Sequence, residues 1–109
     1  RAAVLAWPFS LAYAIFEARL TASSHWLVGG YGFGDAPVNA ALRRSYRARV
    51  AGGLPPPCLL VIGSGSNRSI DRATRDALRV KPDFVDGSGF PSASSGQPFA
   101  DWCAASPTA

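Results

Sequence analysis

Two short, uniformly apolar runs, Trp26 to Gly30 and Cys58 to Ile62, each break into a glycine-rich turn that opens directly into a helical pattern. Runs of this length with no polar alternation predict strands buried on both faces, as in a parallel sheet flanked by helices. The first turn, Gly30-Tyr31-Gly32-Phe33-Gly34-Asp35, leads into Val38, Leu42, Tyr46 and Val50 at steps of four, a helix from about 36 to 51. Asp35 is placed to cap it, and Pro37 lies in the first turn, where a missing N–H costs nothing. Gly52-Gly53 closes that helix, and Leu54-Pro55-Pro56-Pro57 forms a stiff extended link to the second strand. The second turn, Gly63 to Asn67, precedes a third helix capped by Ser69, with Ile70, Ala73, Ala77 and Val80 on its apolar side and a stop at Lys81-Pro82.

Ahead of the first strand, Phe9, Tyr13, Phe16 and Leu20, with Ala12 and Ile15 beside them, predict a helix over 9–22 with one wide apolar face packed against a neighbour. The order is therefore α-β-α-β-α, an α/β chain with a partial, doubly wound parallel sheet. Parallel strands joined by a helix bring both glycine turns to one edge of the sheet, the edge at which open α/β folds bind ligands. Two strands cannot bury both of their faces, which predicts further strands upstream of Arg1 and a chain that is part of a larger domain. Residues 88–109 carry one charge, Asp101, with Phe90, Phe99 and Trp102 as the only large anchors, and are expected to be a loop or ragged end.

The remaining composition narrows the classes of function. In 109 residues, 48% apolar and 17% charged, there is room for one small domain. Residues 2–16 are apolar but interrupted by Pro8, too short to cross a bilayer of about 30 Å as a helix, and the Glu17-Ala18-Arg19 that follows is unlike a signal-cleavage site. The charge of +4 comes from ten arginines and one lysine against seven acids. The dense set Arg43, Arg44, Arg47 and Arg49 has helical spacing and is expected to form a solvated outer face, so a nucleic-acid partner is not the favoured reading. Cys58 and Cys103 lack partners at metal-ligand spacing and the chain has one histidine, which leaves no cysteine–histidine zinc site and makes a reducing, cytoplasmic setting the expectation.

The glycines of the first turn do not follow the six-residue dinucleotide fingerprint, since Gly30, Gly32 and Gly34 alternate. Glycine there serves either a tight turn alone or the close approach of a ligand to bare backbone. The string Leu27-Val28-Gly29-Gly30-Tyr31-Gly32-Phe33-Gly34-Asp35, with Val38-Asn39 after it and an aromatic-rich helix before it, resembles the late part of the sirtuin-like NAD-binding domain of bacterial proteins. The resemblance covers roughly residues 9–80. It implies a Rossmann-type domain in residues 1–87 and binding of NAD by Gly30, Tyr31, Gly32, Phe33, Asp35, Asn39, Gly63 and Ser64. Gly30 and Gly32 would admit a ribose or phosphate oxygen of the adenosine half, and Phe33 would pack beneath the turn. Helix capping by Asp35 and a loop hydrogen bond from Asn39 account for those two residues equally well.

Gly63-Ser64 stands where sirtuins often place a ribose-binding asparagine. The family's phosphate loop, nicotinamide-pocket asparagine and aspartate, and His-Gly base have no counterpart in these residues. His25 is followed by Trp26 and lies at the end of its strand away from the turns. The activity implied is cleavage of the nicotinamide–ribose bond of NAD, as in bacterial defence NAD hydrolases or NAD-dependent deacylases. The alternatives are a non-catalytic module binding NAD or ADP-ribose, and a lysine-decarboxylase-like phosphoribohydrolase, whose Pro-Gly-Gly-x-Gly-Thr-x-x-Glu loop is matched only at its glycines. The expected partners are NAD or ADP-ribose and either a second copy or the rest of the same domain.

Overall fold

The computed structural model describes residues 9–29, 31–89 and 92–107. Three parallel strands, β1 (His25–Gly29), β2 (Cys58–Ile62) and β3 (Phe84–Asp86), form a sheet in the order β1-β2-β3. Helices α1 (Phe9–Ala22), α2 (Ala36–Ala51) and α3 (Asn67–Leu78) cover one face; a 3-10 turn at Ser92–Ser95 and α4 (Gln97–Ala104) cover the other. The chain is thus an α/β protein with a parallel sheet and helices on both faces.

β2 is central and buried throughout, and its alternating side chains divide the core in two. Leu59 and Val61 join Trp26, Leu42, Ile70 and Leu78 under α1–α3, while Leu60 and Ile62 meet Ala93, Phe84, Phe99 and Trp102 under α4. Trp26 is fixed by its indole N–H, which reaches Leu20 O (3.0 Å) and Ser23 O (3.2 Å), and by an edge-on contact with Tyr46.

α2 begins and ends with its chemistry in place. The Asp35 carboxylate accepts the Val38 N–H at 3.2 Å, and Pro37 sits in the first turn. At the far end Gly53, at φ +87°, lets the Leu54 N–H return to Arg49 O (3.1 Å) and the Gly53 N–H to Val50 O (3.0 Å), the paired bonds of a Schellman motif.

Four expectations are corrected. The α2 face built on four-residue steps ends with Val50 exposed, because twelve residues at 3.6 per turn swing it about 120° off the line of Val38; Ala41, Ser45 and Arg49 are buried instead. α1 has no fully buried residue among its described side chains: Leu11, Ile15 and Phe16 are exposed, and the helix packs chiefly on α2, with Leu20 reaching the core. The cap of α3 is Ser66, whose hydroxyl oxygen accepts the Ser69 N–H at 3.1 Å, while the Ser69 hydroxyl donates back to Ser66 O at 2.9 Å. Residues 88–107 are not a loop throughout, since Ala93, Phe99 and Trp102 give a polar-looking segment enough apolar contact to close the second face. Trp102 adds a hydrogen bond to Cys58 O at 2.8 Å; Phe90, expected as a further anchor, lies outside the described residues.

The arginine cluster is also corrected. Only Arg47 is an ordinary solvated side chain of the four. Arg44 forms a two-pronged ion pair with Glu17 of α1 (3.0 and 2.9 Å), Arg43 donates to Ala77 O of α3 at 2.7 Å, and Arg49 is buried. They tie α2 to both of its neighbours.

Candidate functional site

Parallel pairing in the register Gly29↔Ile62 brings the turn after β1 and the turn after β2 to the same rim of the sheet. Between them, and beneath the first half of α3, lies a cavity of about 380 Å³. Tyr31, Gly32 and Phe33 line it from the first turn, Gly63 and Ser64 from the second. Val28, Val61 and Ile62 contribute strand walls, and Ser69, Ile70 and Ala73 close it from α3. Val61, Ile62 and Ile70 are its buried apolar lining, and Ser64 and Ser69 are exposed.

The first turn is built from its own side chains. The Tyr31 hydroxyl lies 2.6 Å from Asp35 O and 2.7 Å from Asn39 Oδ1, accepts the Asp35 N–H at 3.1 Å, and is pushed to a raised pKa by burial and by the nearby Asp35 carboxylate. Asn39, itself buried, donates from Nδ2 to Phe33 O at 3.0 Å. These bonds hold two successive residues, Gly32 (φ +70°) and Phe33 (φ +60°), in the left-handed region. For an aromatic side chain that conformation costs on the order of 1 kcal/mol or more, offset by packing of the ring on the core and edge-on against Tyr31, with centroids 5.5 Å apart.

A side chain built onto Gly32 meets nothing within 4 Å, so the backbone here is bare toward open space. Gly63 has the opposite reason for being glycine. A Cβ there would press on Ile70 at 3.2 Å, so its absence lets α3 approach β2.

Of the residues expected to contact a cofactor, Tyr31, Gly32, Phe33, Gly63 and Ser64 meet at the cavity. Asp35 and Asn39 stand behind it as the cap and the stitch of the turn. Gly30 lies outside the described residues. Ser69, Ile70 and Ala73 were not anticipated as lining residues: the i, i+3 spacing of Ile70 and Ala73 is the signal of a helix face turned inward, and nothing in it separates a core from a cavity wall. His25 is at the opposite end of β1, held between the Ser24 hydroxyl (2.8 Å) and Ala105 O (2.9 Å) and edge-on to Trp102.

The second turn is braced from β3. Gly63 N–H donates to Asp86 O (2.9 Å), Gly65 N–H to Gly87 O (3.3 Å), and Ser64 pairs with Ser88. The buried Asp86 carboxylate accepts from both the hydroxyl and the N–H of Ser88 (2.9 Å for the latter), and these bonds hold its pKa below the ordinary carboxylate value. A depressed folded-state pKa contributes stability above the unfolded value of about 3.9 that is lost as pH falls through the folded value. Asp86→Asn should therefore cost stability at pH 7 and progressively less below about pH 4, read by urea unfolding at several pH values; a penalty that does not shrink in acid overturns this role.

Among the described residues no group of three His, Cys, Asp or Glu is arranged to hold a metal ion, and no helix is long and apolar enough to cross a membrane. Both thiols are unpaired, Cys58 buried and pushed to a raised pKa by that burial, Cys103 exposed. Comparison of the chain with models of known families, with curated proteins and with solved structures returns no match.

Proposed function

We propose that this chain binds the adenosine end of NAD or ADP-ribose, as the nucleotide-binding portion of a sirtuin-like protein that cleaves the nicotinamide–ribose bond. The observation that carries the reading is the cavity of about 380 Å³ with bare backbone at Gly32 on one wall and the second glycine turn on the other. That volume lies at the lower end of small-molecule sites, which run from roughly 300 to 1,000 Å³. It takes one nucleoside end of the dinucleotide and leaves the rest over the rim. The buried apolar lining of Val61, Ile62 and Ile70 suits a base, and the exposed Ser64 hydroxyl suits a sugar.

The chain's part is binding, and the chemistry belongs to residues outside it. A module that binds NAD or ADP-ribose without turnover is the second reading; His25, tied down at the far rim, takes no part in either. A cytoplasmic setting suits either, given two unpaired thiols.

Substituting Gly32 with valine is a poor test, because φ +70° strains any branched residue whether or not a ligand binds. Ala73 is the better position: it lines the cavity from a helix interior, where leucine is well tolerated. Ala73→Leu should weaken ADP-ribose binding at least about tenfold, a loss of about 1.4 kcal/mol in calorimetry, with the circular dichroism spectrum unchanged. Equal affinity for the two proteins overturns the site.

A further inference from the structure

Ser69 lines both the cavity and a groove along the outer flank of α3, where it stands with Arg68, Arg72 and Lys81. Of the groove's acids, Asp71 pairs with Arg75, while Asp83 keeps its charge and accepts the Leu59 N–H at 2.8 Å. Arg68, Arg72 and Lys81 have no hydrogen-bond or ion-pair partner among the described residues, and both arginines are exposed.

We infer that the phosphates of a nucleotide seated in the cavity cross Ser69 to Arg68 and Arg72, so that this chain supplies a diphosphate subsite beside the nucleoside pocket. The inference rests on the nucleoside-binding reading of the cavity. Arg68 and Arg72 are one helical turn apart, about 6 Å along the axis, on flexible side chains that can close on successive phosphates.

Calorimetry of the full chain with adenosine and with ADP separates the claims. ADP should bind at least about tenfold tighter than adenosine at low salt, with the gap narrowing as ionic strength rises. Arg68→Gln with Arg72→Gln should bring ADP to the level of adenosine and leave adenosine unchanged, while the paired lysine variants keep most of the gap. Arg19→Gln with Arg47→Gln removes the same charge away from the groove and should leave the gap intact. Equal binding of ADP and adenosine by the wild-type chain, a gap that survives in R68Q/R72Q, or a gap lost equally in R19Q/R47Q overturns the inference while the cavity reading stands. Failure of both ligands to bind overturns both.

Discussion

Replacing Arg49 with alanine should lower the free energy of unfolding by about 3 kcal/mol, and the midpoint of thermal unfolding by roughly 10–20 °C for a domain of this size. Arg49 is only 4% exposed, and no carboxylate among the described residues neutralises it. Its guanidinium instead donates from Nε to Pro55 O (2.7 Å) and from Nη1 to Thr21 O (3.1 Å). Thr21 lies in the last turn of α1, where carbonyls lack helical partners and the dipole is negative, so the cation meets a partial counter-charge there. One side chain thus satisfies the end of α1 and fixes the proline-rich link that feeds β2. Truncation leaves both carbonyls without that donor and opens a void along the side-chain stem. Arg49→Met keeps the stem and drops the donors, so it should recover less than half of the loss. A methionine variant as stable as wild type would show that packing, not the two hydrogen bonds, is what Arg49 contributes.

That arginine also marks where sequence reasoning stops. The spacing of Arg43, Arg44, Arg47 and Arg49 is that of a helix surface, and charge predicts solvation. The spacing cannot show that the end of α1 and the carbonyl of Pro55 arrive beside Arg49, because those partners are 28 and 6 residues away and have no side-chain signature. Where the signal is local, the chain is legible. The cap of α2 by Asp35, its end at Gly52-Gly53, and the full span of β2 follow from turn chemistry and an unbroken apolar run. β3 escaped for the converse reason: a three-residue strand among the four residues between Pro82 and Gly87 offers no periodicity, and it exists because Phe84–Asp86 can pair with Leu60–Ile62.

The site divides in the same way. That both glycine turns share a rim follows from two parallel strands and the helix between them, so Tyr31, Gly32, Gly63 and Ser64 could be placed together without coordinates. The contribution of α3 could not. Ile70, Thr74 and Leu78 form one inward stripe, and the absence of a Cβ at Gly63 leaves room for Ile70 where α3 meets β2. Asp35 and Asn39, equally readable as cofactor contacts or as turn supports, hold the turn through Val38 N–H, Tyr31 Oη and Phe33 O.

Gly87→Ala should be about as damaging as the loss of Arg49, at about 3 kcal/mol, and for a purely steric reason. A Cβ at position 87 would run into the carbonyl oxygen of Gly65, which is backbone and has no rotamer by which to move aside. Gly65 is itself held by its N–H bond to Gly87 O, and at φ +124° it occupies a conformation that only glycine adopts without strain. Relief therefore requires the 63–65 and 87–89 segments to separate, breaking the Ser64–Ser88 pairing that braces one wall of the cavity. Gly89→Ala is the informative contrast: its Cβ has an ordinary neighbour at 3.6 Å, so only the left-handed conformation is penalised, by about 1 kcal/mol. Urea unfolding of the two variants checks the ranking, and a Gly87→Ala protein within about 0.5 kcal/mol of wild type would contradict it. Because the strain falls on a wall of the site, Gly87→Ala should weaken ADP-ribose binding together with stability, whereas Ala73→Leu weakens binding alone. That difference separates a cavity that must be kept open from a rim that must be kept in place.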